Sequence, residues 1–166
     1  MNSIFNRRSI RKYTTKKVSD DIVKELLKAG MSAPSAANEQ PWEFIVVRDE
    51  SVLQRIIDVH GYASMLKEAD VAIVVCGDKN RDKVQGFWVQ DCSAATENIL
   101  IEAQELGLGA VWLGVYPLEE RAKPIKNILK LPESIIPLSI ISIGYPAEHK
   151  EPSNRYDESR IHYNKW

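Results

Sequence analysis

The chain has only two cysteines in 166 residues, Cys76 and Cys92, with 15 residues between them. There is no CxxC, and His60, His149 and His162 stand apart, so the ligand spacing of a zinc or iron–sulfur site is missing. Cys76 closes an apolar run and Cys92 falls on a helical apolar stripe, which suits buried thiols in a reducing compartment. The longest continuous apolar stretch, Val71 to Cys76, is far too short to span a bilayer, so no membrane association is expected. The basic opening MNSIFNRRSIRKY lacks an apolar core, which excludes a secretory signal and makes a cytoplasmic location the expectation. Neither sign of charge is in excess. The 22 lysines and arginines face 23 acids for a net charge of −1, which argues against a dedicated nucleic-acid partner. Also absent are G-x-S-x-G, H-E-x-x-H, a Walker A sequence and a cysteine–histidine pairing that would mark a nucleophile. Redox chemistry on an organic cofactor needs no protein acid, base or nucleophile and fits that silence.

What is present is an ordinary core-forming composition, 44% hydrophobic and 27% charged, in one stretch without repeats or linkers. A single domain over 1–166 is expected, and a domain of this size buries roughly two-thirds of its unfolded surface without disulfides. Helical spacing of Ile22, Val23, Leu26, Leu27 and Met31 predicts a helix from Ser19, the N-cap, to no further than Ala33, because Pro34 disfavours helix in the residue before it. EFIVVR (Glu43 to Arg48) and VAIVVC (Val71 to Cys76) read as strands buried on both faces, with a short helix over Val52 to Val59 between them. A long helix from about Trp88 to Leu106 stops at Gly107. Ala110 to Val115, Glu119 to Leu129 and Leu138 to Tyr145 then read as strand, helix and strand. This order predicts a three-layer α+β or α/β domain around a mixed sheet. From about Pro146 to Trp166 the chain is an extended tail whose Tyr156, Ile161, Tyr163 and Trp166 need a surface to pack on.

Three strings could carry chemistry. Arg7-Arg8-Ser9-Ile10-Arg11 offers three guanidinium groups and a hydroxyl to a phosphate, although taken alone it is equally a solvated basic turn. Lys150 and Arg155 form a second cationic group in the tail. In Pro34-Ser35-Ala36-Ala37-Asn38-Glu39-Gln40-Pro41-Trp42, two prolines stiffen a loop whose Asn38 and Gln40 both donate and accept hydrogen bonds. That loop suits a heteroaromatic imide edge, or is simply a helix-to-strand connection. Gly107-Leu108-Gly109-Ala110-Val111-Trp112-Leu113-Gly114 is not a Rossmann fingerprint, since Trp112 stands where glycine is required. Its Gly114 allows close approach of a flat ligand, or marks a tight strand exit.

Together, in this order, RRSIR, PSAANEQPWEFIVV, LGLGAVWLG, ISIGYP and the tail arginine resemble the nitroreductase family of FMN-dependent oxidoreductases over nearly the whole chain. The resemblance implies an α+β, three-layer α-β-α sandwich with a mixed central sheet, working as an intertwined homodimer with FMN in two interfacial clefts. It places Arg7, Arg8, Ser9 and Arg11 at the FMN phosphate and the pyrimidine side of the ring, and brings Arg155 back to the phosphate. Pro34, Ser35, Ala36 and Asn38 come from the partner subunit, and Leu113, Gly114 and Val115 present backbone donors to the flavin edge. NAD(P)H is the implied electron donor, with nitroaromatics, quinones and similar small planar molecules as acceptors. An FMN-binding carrier or sensor without turnover would share these motifs.

One departure stands out. Larger members of the family carry a helical excursion before the long helix, whereas here Gly77 to Gln90 is only 14 residues. An open site is expected, with Phe87 or Trp88 either near the flavin or in the core at the helix start.

Overall fold

The computed structural model describes residues 2–166. Helix α1 (Ser3–Asn6) precedes an extended segment, and α2 (Asp20–Met31) leads through the 34–41 loop to strand β1 (Trp42–Val47). Then come α3 (Glu50–Val59), β2 (Val71–Asp78), α4 (Trp88–Glu105), β3 (Gly109–Gly114), α5 (Glu119–Leu129) and β4 (Ile135–Gly144). Local chemistry sets several of these boundaries. The Ser19 hydroxyl accepts from the Ile22 N–H and opens α2, and the Asp49 carboxylate accepts from the Ser51 and Val52 N–H groups and opens α3. Gly107, at φ +71°, turns the chain out of α4 at an angle that costs glycine little.

Side chains alternate across a strand, and in β2 both sets are apolar. Val71, Ile73 and Val75 pack with Leu26 of α2 and Cys92, Ala95 and Ile99 of α4. Ala72, Val74 and Cys76 pack with Leu53 and Ile56 of α3 and Ile125 of α5. Helices therefore cover both faces of the sheet, giving three layers. Gly30 of α2 brings the helix against Ile99, where an added Cβ would lie 2.9 Å from Ile99 Cδ1.

The sheet order is β1-β2-β4-β3, and every pairing between these strands is antiparallel. The mixed character expected from the sequence is confined, among the described residues, to an isolated parallel bridge between Ser9 and Ala110. Strands β2 and β3 do run the same way across the α4 crossover, the arrangement that suggests parallel pairing. The later strand β4 lies between them and pairs antiparallel with both. The start of the tail packs on its own chain: Tyr13 bridges Pro146, and the Ala147 N–H donates to Lys12 O. Residues 151–166 are all exposed. No helix among the described residues is long and apolar enough to cross a membrane.

Trp88 belongs to the core, at 4% exposure, while Phe87 points outward at 42%. The Trp88 ring lies on Gly77 and meets Tyr116 edge-on at 4.9 Å between centroids. A Cβ on Gly77 would overlap this ring. Gly77→Ala is expected to destabilise the fold by about 1–3 kcal/mol through overpacking, read as a lower urea midpoint at unchanged slope.

Candidate active site

The segment after α1 is fixed at both ends. The Ile10 N–H donates to Ala110 O at 3.0 Å, and the Arg11 N–H donates to Glu148 Oε1 at 2.6 Å. Lys150 Nζ reaches back to Ser9 O at 2.7 Å. These bonds fold the tail onto the arginine segment and form a cleft of about 640 Å³ walled by Arg7, Arg8, Ser9, Arg11, Lys150 and Arg155, with Ile4, Phe5 and Tyr156 at its apolar side. The two cationic groups of the sequence thus converge.

Counter-charge in this cleft is sparse. Glu97 Oε1 lies 3.0 Å from Arg7 Nε but off the line of a hydrogen bond, and Glu148 pairs with Lys150 at 3.2 Å. The Arg11 N–H, helped by Lys150, holds the Glu148 carboxyl below the usual carboxylate range. Arg8 Nε is buried with no partner. A buried, unpartnered guanidinium N–H in a cation-walled cleft fits a phosphate dianion, for which arginine's forked donors are suited.

The 34–41 loop lies outside that cleft and is built differently. Ala37, Asn38 and Gln40 all sit in the left-handed region, at φ 49°, 55° and 49°. For Ala37 and Gln40 this costs about 1 kcal/mol each. Surrounding bonds over-determine the shape. Asp91 Oδ1 accepts from the Ala36 N–H at 3.1 Å, and the Ser35 hydroxyl accepts from the Gln40 N–H at 3.0 Å. The Glu39 carboxylate accepts from the Lys83 and Val84 N–H groups at 3.1 and 3.0 Å. The short 77–90 connector is therefore tied to this loop.

The end of β3 divides the three residues expected there. Leu113 and Val115 are buried, and the Val115 N–H is engaged by Leu138 O at 3.1 Å. Antiparallel alternation then turns the Gly114 N–H away from β4, toward the outer edge. Gly114 is exposed, and a Cβ there would meet no atom within 4 Å. Leu113 and Val115 are thus not available as donors in this chain, because by the same alternation both amides face β4 and belong to the sheet ladder. The Gly114 carbonyl accepts from His60 Nε2 and Arg121 Nη1.

Asp91, His60 and Arg121 are not singled out by the sequence, because none carries a local motif and their contacts reach across as many as 55 positions. Glu39 lies in the Pro34 to Trp42 string but has no role assigned to it there. The two thiols are free and buried, and burial holds Cys92 at about 12, so neither is a nucleophile.

Over residues 4–145 the sequence matches the Nitroreductase family. The chain belongs to the nitroreductase family. A relative from Methanothermobacter thermautotrophicus, provisionally named an NADH dehydrogenase/NAD(P)H nitroreductase, is 50% identical over 100% of this chain and 87% of its own length. A crystal structure from Parabacteroides distasonis with the same provisional name superposes with a TM-score of 0.95 at 43% identity, covering 99% of this chain and 96% of that one. An FMN-dependent nitroreductase from Clostridium difficile R20291 superposes with a TM-score of 0.91 at 35% identity, covering 99% of both chains. The fold of this chain thus matches these two solved structures nearly end to end.

Asp91 is 6% exposed, and its Oδ2 has no partner. Burial raises its pKa, against the Ala36 bond, and the charges of Glu39 and Asp82 push the same way. The folded chain therefore holds this proton to higher pH than the unfolded chain does, and ionising Asp91 lowers stability as pH rises above the ordinary carboxylate range. Asp91→Asn keeps an acceptor for Ala36, so its stability relative to the parent is expected to improve as pH rises above the ordinary carboxylate range. Asp91→Ala is expected to cost about 1–3 kcal/mol by leaving the Ala36 N–H unpaired. Urea melts of the three proteins at a series of pH values, from below the ordinary carboxylate range upward, check both.

Proposed function

We propose that the chain is an FMN-dependent NAD(P)H oxidoreductase that works as a homodimer in the cytoplasm and reduces planar acceptors such as nitroaromatics and quinones. The carrying observation is the convergence of Arg7, Arg8, Ser9, Arg11 and Arg155 on one cleft, with Arg8 Nε buried and unpartnered in it. Support for the cofactor comes from the FMN dependence of the similar Clostridium difficile protein, and for the donor from the NAD(P)H in the name of the similar archaeal one. Bound FMN supplies the hydride-accepting and electron-releasing chemistry.

The protein's share is to hold and orient. Arg7, Arg8 and Arg155 take the phosphate, Ser9 adds a hydroxyl, and Arg11 puts a positive charge at the pyrimidine side, where it stabilises negative charge. The outward Gly114 N–H supplies the backbone donor to the flavin edge. Pro34, Ser35, Ala36 and Asn38, held in shape by Asp91 and Glu39, serve the cleft of the partner subunit. Residues 1–166 act as one domain, with the exposed end of the tail seated on the partner. Trp88 is buried and so does not cover the ring, the 77–90 connector leaves Phe87 as its exposed aromatic, and a thinly covered ring selects acceptors by stacking and potential more than by shape.

Anaerobic mixing of the FMN-loaded protein with NADH or NADPH is expected to bleach the flavin absorbance. Flavin that stays yellow with both donors would favour a carrier, and protein that takes up no FMN would overturn the proposal. Arg8→Ala is expected to weaken FMN binding about 10- to 100-fold, or about 1.5–3 kcal/mol. Riboflavin, which lacks the phosphate, is expected to bind the Arg8→Ala variant and the parent alike; both are read by fluorescence titration.

Tyr156, Tyr163 and Trp166 are 74%, 77% and 98% exposed on the tail. Burying such side chains on a partner contributes about 1.5–3 kcal/mol each. A chain ending at Arg155 is expected to dimerise more weakly, and a truncated chain that stays dimeric with full FMN content counts against the tail's role.

A further inference from the structure

Beside the outward N–H of Gly114, its carbonyl is capped twice, by His60 Nε2 at 2.9 Å and by Arg121 Nη1 at 3.0 Å. His60 is 1% exposed, and its Nδ1 accepts from the Tyr62 N–H at 3.3 Å, so both ring nitrogens are committed and the ring is held in place. The Arg121 guanidinium lies 5.4 Å from the centroid of the Tyr62 ring, which limits where it can swing. Arg121 makes no ion pair among the described residues, and its helix neighbour Glu119 is taken by Lys123. An uncompensated positive charge is thus seated one peptide away from the donor at the strand end.

Residues of an antiparallel edge strand turn their N–H and C=O to the same side. An uncapped Gly114 carbonyl would therefore set its negative end beside the N–H, facing the same ligand edge. Capping removes that repulsion and substitutes a cation. A cation near a group that gains negative charge on reduction favours the reduced form.

We propose that Arg121 is a positioning residue that raises the reduction potential of FMN bound along the outer edge of β3, with His60 keeping the Gly114 peptide in place. This rests on the FMN reading above. Its effect is separate from affinity, because the phosphate is held by the arginine cleft and not by Arg121.

The test is the midpoint potential of bound FMN, measured by dye equilibration in the full-length parent, Arg121→Gln and Arg121→Lys. Glutamine keeps a donor without the charge, and lysine keeps the charge without the planar fork. Arg121→Gln is expected to lower the potential by ~30 mV, the equivalent of a tenfold loss in the preference for reduced over oxidised FMN in a two-electron couple. Arg121→Lys is expected to retain most of the parent value, and higher salt is expected to narrow the gap between parent and Arg121→Gln. Equal potentials in all three proteins, with FMN bound, overturn this proposal and leave the FMN reading intact. An equal fall in both variants overturns the role of charge. A parent chain that takes up no FMN removes both proposals.

Discussion

Apolar side chains on both faces of β2 constrain everything built around it. With Val71, Ile73 and Val75 on one side and Ala72, Val74 and Cys76 on the other, the strand is stable only with helices on both sides of the sheet. Strand β4 is buried along most of its length in the same way. The two central strands are therefore committed to packing, and chemistry falls to the edges. Strand β3 is one edge, and near its far end Gly114 turns its backbone groups away from the ladder to the outer side.

The second constraint is electrostatic. The net charge of the chain is −1, yet Arg7, Arg8, Arg11, Lys150 and Arg155 wall one cleft, and two carboxylates, Glu97 and Glu148, stand against its cations. Holding like charges together is unfavourable in the isolated chain, and the backbone bonds of Ile10, Arg11 and Lys150 fix them there. The same pattern recurs in the 34–41 loop, where left-handed alanine and glutamine residues are kept by bonds from Asp91, Ser35 and Glu39. Strain and uncompensated charge are concentrated where ligand contact is proposed, while the two hydrophobic clusters supply the stability that tolerates them.

Buried carboxyls show how closely opposite effects can lie. Burial pushes Asp70 and Asp82 up, but bonds from Lys17, Val18 and Arg48 in one case, and from Lys79 and Gly86 in the other, pull both below the usual range. Asp91 has one backbone donor and two acidic neighbours, and burial prevails. Asp70 joins the start of α2 to the end of β1, whereas Asp91 joins α4 to the loop.

Element positions were legible in the sequence because they depend on neighbours within a few residues: the Ser19 cap, the helical spacing over 22–31, the β-branched runs and the Gly107 stop. The arginine string, the loop string and the strand-end glycine were equally visible, since each is local. Strand pairing was not, because β4 follows β3 in the chain but inserts beside β2, and only the packing of the finished sheet decides that. The fate of Trp88 also waited on the fold, as Gly77 makes room for its ring across the connector. The bonds from Asp91 to Ala36 and from His60 to Gly114 span 55 and 54 positions, and no local pattern encodes them. Residue type and short-range periodicity determine which groups the chain carries. The tertiary structure alone decides which of their donors and charges remain unpaired, because a partner can come from anywhere in the chain.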